Sequence, residues 1–242
     1  MEGVRGSEEA LAREADIRFA VCSSRLQHSD RGLQLARRLE GAVGDLVWVD
    51  EGILEAAAHT ETPQGVLLVC AEPSLELSDL KPGDAPEPGA GPSPLRLLVL
   101  DGIQDPGNLG SLIRGAAAFG LAGVVALSGT VDPWNSKAVR ASAGACFSIP
   151  VVRASGGEFF PWCRTLGLPV LVADMAGRAA GPLEGTGWVL VIGSEAEGPS
   201  SAAREAAGEF VAVPMSGSVE SLNAAMAGGI LMFAMTRGSE SR

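Results

Sequence analysis

The sequence predicts an α/β protein in which helices cover both faces of a parallel sheet, preceded by a smaller α/β domain. Short apolar runs alternate with segments of helical spacing along the chain, and this alternation is typical of parallel sheets. A stretch rich in proline and glycine divides the chain after its first third. With 242 residues, the chain is long enough for two domains that each have a core.

Residues 1–79 are predicted to form the smaller domain. Apolar residues recur with helical spacing in Gly32–Leu39 and Gly52–Ala58. Short apolar runs around these helices predict three strands. The runs are Ile17–Cys22, Asp45–Val49 and Gly65–Cys70. Residues 80–94 contain five prolines and several glycines, which predicts an exposed linker.

Residues 95–242 are predicted to form the larger domain around a parallel sheet. The predicted strands are Leu95–Leu100, Gly123–Leu127, Ile149–Val152, Pro169–Ala173, Trp188–Ile192 and Phe210–Pro214. Helical spacing predicts helices over Leu109–Phe119 and Ala224–Met235. Small residues such as Gly228 give the second helix a slim face that suits close packing.

The segment Asp101–Arg114 is the first candidate functional motif. Its sequence is Asp-Gly-Ile-Gln-Asp-Pro-Gly-Asn-Leu-Gly-Ser-Leu-Ile-Arg, and it follows a predicted buried strand. Strand, tight loop and helix in this order present main-chain N–H groups at the carboxyl edge of a sheet, where open α/β sheets bind ligands. Asn108 and Arg114 stand on either side of the helix start, and we expect both side chains to point into one crevice there.

Two further segments repeat this arrangement. Val189–Ser200 is a predicted strand followed by a glycine loop and a helix start, and Val211–Asn223 leads from another strand into the last helix. In this order and at these intervals, the three segments resemble the three motifs of the SpoU (TrmH) family. Members of this family are S-adenosylmethionine-dependent RNA ribose 2'-O-methyltransferases of the SPOUT class. The resemblance covers about residues 95–237.

The resemblance implies further features of the fold. The larger domain, residues 95–242, is expected to contain the family's deep trefoil knot, in which the last helix threads a loop. Residues 1–79 resemble the L30e-like RNA-binding domain that precedes many SpoU domains, and Thr62–Val69 is similar to its last strand. The family copy usually opens with a longer helix and strand, so residues 1–79 would be a shortened copy of it. The alternative is that these residues only pack against the catalytic domain.

The resemblance also implies a homodimer through the catalytic domain. Family members pair across the knot, with the arginine of the first motif near the partner's cofactor pocket. The last helix supports this, because it carries more apolar residues than one helix on a small sheet requires. These residues are Ile230, Leu231, Met232, Phe233 and Met235. The alternative is a monomer in which this helix is wholly buried.

The implied cofactor is S-adenosylmethionine, which the family holds in a bent shape largely by main-chain contacts. Carried over to this sequence, Gly193, Val213 and Leu222 would contact it. Met215 and Gly217 would line the same turn. Glycine admits a close approach to the main chain, and aliphatic side chains can cover the adenine. The sequence contains no P-loop, GxGxxG or HExxH motif, which argues against nucleotide hydrolysis, dinucleotide redox chemistry and zinc proteolysis.

Five catalytic positions follow from the same resemblance. Arg114 matches the family's favoured catalytic arginine, and Asn108 supports its loop. Because an arginine with a pKa above ~12 is a poor base, we interpret Arg114 as a clamp for a phosphate and the oxyanion. Glu195 would orient the arginine and the loop of the first motif, while Ser221 and Asn223 would fix the knot and the substrate side. Helix capping or turn bonding is the alternative for these last three residues, above all for Ser221.

RNA contacts are predicted from the basic residues of the larger domain. Lys137 and Arg140 are three residues apart on a predicted helix and share one face, which either grips phosphates or is simply solvated. Trp134 either stacks on a base or covers the core. The net charge of −11 argues against tight nonspecific RNA binding, since phosphate neutralisation normally supplies most of the affinity. A local basic rim is still compatible with an acidic total.

Composition argues against a membrane protein, a secreted protein and a metal-binding protein. No apolar run approaches the ~20 residues that cross a bilayer, and the first 16 residues lack the pattern of a secretory signal. The cysteines show no CxxC pairing and the two histidines are far apart, so we predict no metal site and buried thiols in a reducing compartment. We therefore expect the cytoplasm, or an organelle matrix if a targeting segment has been lost.

The expected activity is methyl transfer from S-adenosylmethionine to a ribose 2'-hydroxyl in RNA. The L30e-like domain favours ribosomal RNA, with transfer RNA second, and the sequence does not identify the target nucleotide. The alternative from another class is a catalytically silent RNA-binding or ribosome-assembly protein that kept the knot. Intact Asn108, Arg114, Glu195 and Asn223 favour the enzyme.

Overall fold

The structure, a computed structural model, describes residues 1–82, 93–183, 185–217 and 221–236. The described residues form a three-stranded sheet in the first part of the chain and a six-stranded sheet in the rest. Most of the predicted linker, residues 83–92, and residues 218–220 of the third motif lie outside the described residues. Within the described part, no helix combines the length and the apolar character needed to span a membrane.

The first part of the chain is a small α/β unit. Its elements are α1 (Val4–Ala12), β1 (Ile17–Ser23), α2 (Asp30–Ala42), β2 (Leu46–Val49), α3 (Glu51–Ala57) and β3 (Val66–Cys70). The strand order is β2-β1-β3, with β1 parallel to β2 and antiparallel to β3. Leu35 and Leu39 of α2 pack against Ala20 and Leu68 of the sheet to form the core of this unit. All three predicted strands and both predicted helices are therefore present.

The helix α1 was not predicted from the sequence. Its buried residues, Gly6, Ser7 and Ala10, are small, and only the half-buried Val4 and Leu11 add large apolar side chains to its contact face. Helical periodicity is detected from rows of large apolar side chains, and a helix that packs mainly through small residues does not produce one.

The second part of the chain holds the six-stranded sheet. Its elements are β4 (Arg96–Asp101), α4 (Pro106–Ala118), β5 (Gly123–Leu127), α5 (Ser136–Ala141), β6 (Val151–Ala154), α6 (Gly156–Thr165), β7 (Val170–Ala179), β8 (Trp188–Gly193), α7 (Ser201–Ala206), β9 (Glu209–Ala212) and α8 (Ala224–Thr236). The strand order is β6-β5-β4-β8-β7-β9, and every neighbouring pair is parallel. The prediction of a parallel sheet flanked by helices is thus confirmed.

Each predicted strand of this sheet is present, although five of the six differ from the prediction by one or more residues at an end. The strand β6 begins at Val151 instead of Ile149, because Pro150 has no N–H to donate to the ladder. The strand β7 continues to Ala179, six residues beyond the predicted end. The central strand β4 is buried at all of its positions, which explains why it lacks the apolar–polar alternation of a half-exposed strand.

The fold places the three motifs at one edge of the larger sheet. The strands β4, β8 and β9 precede the three motif loops, and parallel strands end at the same edge. Asp101 at the end of β4 lies opposite Gly193 at the end of β8 in the ladder. The helix α8 packs closely against α4, since a Cβ added at Gly228 would overlap the side chain of Leu112. Gly228 of the last helix thus permits this close contact.

Candidate active site

The first motif is a tight turn that closes on itself. Asp105 is the N-cap of α4, and its Oδ1 accepts a hydrogen bond of 2.8 Å from the main-chain N–H of Asn108. This hydrogen bond, together with the ammonium group of Lys137 at 3.7 Å from Oδ2, holds the pKa of Asp105 below its usual value. The turn that carries Asn108 is therefore fixed by an ionised cap.

The first and second motifs contact each other through predicted site residues. The side-chain amide of Asn108 donates a hydrogen bond of 2.8 Å to Oε1 of Glu195, although 87 positions separate the two residues. This contact is consistent with the expectation that Glu195 orients the loop of the first motif. It also gives Asn108 a fixed amide orientation, since its N–H group faces a carboxylate.

Asp101, which is not among the site residues predicted from the sequence, joins the same two motifs. Its carboxyl group is only 6% exposed, and its Oδ2 accepts a hydrogen bond of 2.7 Å from the main-chain N–H of Ser200. Ser200 is also the N-cap of α7. The available signal was an acid at the end of a buried strand, immediately before a glycine turn.

Arg114 lies on the exposed surface of α4. Its side chain makes no hydrogen bond or ion pair with any other described residue. Residues six positions apart on a helix are about 9 Å apart along its axis and face different sides. Arg114 and Asn108 therefore make no contact with each other within one chain, and the shared crevice stays a prediction. The guanidinium group remains available for a ligand or a partner.

The third motif ends in a helix cap. Oδ1 of Asn223 accepts a hydrogen bond of 2.7 Å from the main-chain N–H of Met226, and its carbonyl accepts one from Ala227. Asn223, and not Ser221, is thus the capping residue of α8. Ser221 is exposed two positions before the cap.

The residues predicted to bind the cofactor fit it in different ways. Val213 packs half-buried against the core, Leu222 is half-buried, and Met215 is 37% exposed. The main-chain groups of Val213, Met215 and Gly217 make no hydrogen bond with other described residues. Unpaired main-chain groups beside aliphatic side chains are what a cofactor held by main-chain contacts requires, so these residues fit S-adenosylmethionine.

Gly193 is needed by its own loop. A Cβ at this position would overlap main-chain atoms of Gly198 and Pro199, because the loop folds back through a bridge between Ser194 and Gly198. The main chain of residues 198 and 199 therefore makes a close approach to Gly193, so glycine is required here by the loop itself. Gly217 has a φ of 82°, which lies in the left-handed region that favours glycine.

The two predicted RNA-binding residues lie in different surroundings. Lys137 is exposed and pairs with Asp105 of the first motif. Arg140 is turned towards the first part of the chain, where its Nη1 lies 3.9 Å from the carboxylate of Glu2. This Nη1 is buried and has no hydrogen-bond partner among the residues that the structure describes. Trp134 is half-buried and contacts the ring of Phe147, so it covers the core.

The side chains that could bind a metal ion are those of histidine, cysteine, aspartate and glutamate, and the cysteines could also act as nucleophiles. In the part of the chain that the structure describes, no group of three or more His, Cys, Asp or Glu side chains could hold a metal ion. All four cysteines are free, and burial raises the pKa of Cys22 and of Cys163 to about 11. These two thiols are therefore poor nucleophiles at neutral pH.

The sequence profile of the SpoU rRNA methylase family matches residues 96–233, which is more than half of the chain. The chain belongs to the SpoU rRNA methylase family. The matched region runs from the first residue of β4 into α8 and contains all three motifs. The predicted family is thus confirmed, and the chain is a SpoU-family RNA methyltransferase.

Similar proteins agree with this membership. The 23S rRNA (guanosine(2553)-2'-O)-methyltransferase RlmP of Bacillus subtilis is 33% identical over 189 residues, 76% of this chain and 70% of RlmP. A Mycobacterium avium protein named as an uncharacterized tRNA/rRNA methyltransferase is 40% identical over 236 residues, 94% of this chain and 69% of that protein. The SpoU methyltransferase AviRb of Streptomyces viridochromogenes, solved in complex with AdoMet, has a TM-score of 0.83 and 26% identity, covering 98% of this chain and 89% of AviRb.

Proposed function

We propose that this protein transfers the methyl group of S-adenosylmethionine to a ribose 2'-hydroxyl of ribosomal RNA. RlmP is named for 2'-O-methylation of 23S rRNA, and AviRb was solved with AdoMet, so the predicted reaction and cofactor are confirmed through the family. The structural observation that carries the proposal is the hydrogen bond between Asn108 and Glu195, because it unites two family motifs at the ligand-binding edge of the sheet.

The chain's own residues would position the ribose, stabilise its developing negative charge and hold the motif loops in place. Bound S-adenosylmethionine supplies an activated methyl group, and the protein must hold the ribose hydroxyl in line and help it lose its proton. Arg114 presents a planar donor fork that can clamp an RNA phosphate and stabilise the developing oxyanion. Asn108 and Glu195 hold the loop that precedes α4. Asn223 fixes the start of α8, next to the residues of the third motif that are predicted to bind the cofactor.

A homodimer through the catalytic part is also proposed. On α8, Leu231, Met232 and Met235 are buried in the core. Met226, Ile230 and Phe233 are 55%, 40% and 41% exposed, and their spacing of four and three residues places them in one stripe. A second copy would cover this stripe. It would also explain why Arg114 has no partner among the described residues of its own chain.

The division of labour within the chain remains a proposal. Residues 1–79 would recruit RNA as an L30e-like domain, residues 80–94 would link the parts, and residues 95–242 would form the knotted catalytic domain. The separate three-stranded and six-stranded sheets support this division. The trefoil knot stays a prediction. The free, buried cysteines support a reducing compartment such as the cytoplasm or an organelle matrix.

Ribosomal RNA is the favoured substrate, and transfer RNA is the second candidate because the Mycobacterium avium relative is named for both. Calorimetric titration with S-adenosylmethionine tests the cofactor. Incubation with labelled cofactor and either purified ribosomal RNA or transfer RNA, followed by nucleoside analysis, tests the reaction. We expect 2'-O-methylated nucleosides from ribosomal RNA. Methylation of bases would contradict the proposal, and the absence of cofactor binding would favour the silent RNA-binding protein.

A further inference from the structure

A groove of about 640 Å³ lies at the carboxyl ends of β5 and β6. It is on the same edge of the sheet as the three motif loops, since all the strands are parallel. We call it the β5–β6 groove. Its polar lining residues are Ser128, Thr130, Asp132, Arg153, Ser155 and Glu158. Pro133 and Ala154 add apolar surface to its wall.

The β5–β6 groove is directly connected to the first motif. The hydroxyl of Thr130 donates a hydrogen bond of 2.8 Å to the carbonyl of Leu100 and accepts one of 3.0 Å from the N–H of Gly102. The side-chain amide of Gln104 also donates to the carbonyl of Gly129. One wall of the groove is therefore bonded to the segment that leads into α4. A ligand held in the groove would lie beside the first motif.

Two carboxylates in the groove each keep one oxygen available. Oδ1 of Asp132 accepts hydrogen bonds from Arg153 at 2.6 Å and from the N–H of Trp134 at 3.0 Å. Oε2 of Glu158 accepts from the N–H and the hydroxyl of Ser155, at 2.9 and 2.7 Å. The remaining oxygens, Oδ2 of Asp132 and Oε1 of Glu158, accept no hydrogen bond from another described residue.

Both carboxyl groups are ionised at neutral pH. Burial opposes ionisation of Asp132, but the hydrogen bonds from Trp134 and Arg153 outweigh it and lower its pKa. The main-chain and side-chain hydrogen bonds of Ser155 lower the pKa of Glu158. An ionised carboxylate can only accept hydrogen bonds. The groove therefore favours a ligand with N–H donors and disfavours a phosphate, because its arginine is already paired.

We propose that the β5–β6 groove binds a guanine base of the RNA, next to the ribose that receives the methyl group. Guanine presents N1–H and an N2 amino group side by side on its Watson–Crick edge, and the available oxygens of Asp132 and Glu158 accept from them. Unstacked bases of single-stranded RNA are recognised on this edge. Pro133 and Ala154 offer apolar contact to the base. This inference rests on the proposed function, because it takes RNA as the substrate.

Fluorescence anisotropy with three labelled 12-nucleotide RNAs tests the groove. One RNA contains only uridine, one has a single central guanosine, and one has inosine at that position. Inosine keeps N1–H but lacks the N2 amino group, so it removes one charge-assisted hydrogen bond. We expect the guanosine RNA to bind about tenfold more tightly than the inosine RNA, the scale of losing one such bond. The uridine RNA should bind no better than the inosine RNA.

Isosteric variants assign the preference to the two carboxylates. Asp132→Asn retains an oxygen for Arg153 and Trp134, and Glu158→Gln can retain the capping box of α6. We expect the variant that removes the acceptor of the N2 amino group to bring the guanosine-to-inosine ratio close to one. The other variant should weaken guanosine and inosine RNA equally, because both bases keep N1–H, and uridine RNA should bind both variants as it binds the wild type. Glu72→Gln is the matched control, because Glu72 also pairs with Arg153 but does not line the groove. This control should keep the tenfold ratio.

Several results would overturn the assignment. These are equal binding of guanosine and inosine RNA by the wild type, no binding of any of the RNAs, or an unchanged ratio in both variants. Tighter binding of all three RNAs by both variants would identify a path for phosphates instead. The proposed function and the guanine site can be disproved independently. Guanine preference without methyl transfer to any RNA would contradict the methyltransferase activity but support guanine binding in the groove. Methyl transfer without guanine preference would support the methyltransferase activity and contradict guanine binding in the groove.

Discussion

Arg114 is the residue on which the proposed chemistry depends most. It is exposed on α4 and has no partner among the described residues, so its removal should not affect folding. We expect Arg114→Ala to bind S-adenosylmethionine within a few-fold of the wild type while methyl transfer falls at least ~100-fold, the scale of losing a major catalytic contact. Arg114→Lys should restore little activity, because lysine lacks the planar fork. Calorimetry and single-turnover methyl transfer measure the two effects.

Arg164→Ala is the control for this change. Arg164 is also an exposed helical arginine, but it lies near the end of α6 and away from the motif loops. Its replacement should leave methyl transfer unchanged. Activity of Arg114→Ala near that of the wild type would remove Arg114 from the mechanism.

The hydrogen bond between Asn108 and Glu195 gives a second prediction at this scale. If the two side chains act as one unit, Asn108→Ala and Glu195→Ala should each lower kcat/KM by about tenfold or more. The double variant should be no worse than the poorer single variant, because either change already breaks the contact. Additive losses in this double-mutant cycle would show that the two residues act independently. Glu197→Ala is the control, since Glu197 is an exposed acid of the same loop.

At the scale of the element, Asn223 has a measurable structural role. It caps α8, and replacing a capping asparagine by alanine typically costs about 1 kcal/mol of stability. We expect Asn223→Ala to lower the free energy of unfolding by this amount in a denaturant titration, whereas Asn223→Asp should preserve it. Ser221→Ala, at a residue that does not cap, should leave stability unchanged.

The same variants separate capping from a role towards the substrate. Aspartate keeps the cap but loses the amide N–H groups of asparagine. If Asn223 also contacts the substrate, Asn223→Asp should be as stable as the wild type and markedly less active. Full activity of Asn223→Asp would restrict this residue to its capping role.

At the scale of the whole molecule, the prediction is a homodimer built on the exposed stripe of α8. Sedimentation at micromolar concentration should give about twice the chain mass of 24.7 kDa. Met226→Lys combined with Ile230→Lys should yield a folded monomer, because both side chains are exposed within one chain. Met175→Lys is the control, since Met175 is 69% exposed but lies on β7. A wild-type mass near that of one chain would contradict the dimer.

Mixing two inactive variants tests whether the dimer completes the site. If Arg114 acts in the partner's pocket, Arg114→Ala and Leu222→Glu damage different halves of each site. Random exchange of subunits would then restore about a quarter of the sites, because half of the dimers are mixed and each mixed dimer has one intact site. Activity that stays at the background level after exchange would place Arg114 in the pocket of its own chain.

The local parts of the candidate site were predictable from the sequence. Each motif combines an apolar run, a glycine-containing loop and a helix start, and these signals lie within about 14 adjacent residues. The predicted strands and the helices α4 and α8 were therefore found, and the order of the motifs was sufficient to identify the family. The helix α1 was missed because it packs mainly through small residues and leaves no apolar period.

The sequence by itself thus determined the family, the parallel α/β class and the segments that carry the chemistry. Only the tertiary structure decided which residues meet: Asn108 with Glu195, Asp101 with Ser200, and Arg140 with Glu2. The reason is that β4 lies beside β8 in the sheet although three helices and three strands lie between them in the chain, and no local pattern encodes that neighbourhood. The β5–β6 groove depends on the same strand order, because its polar residues come from the loop after β5, from β6 and from the start of α6, which only the sheet brings together.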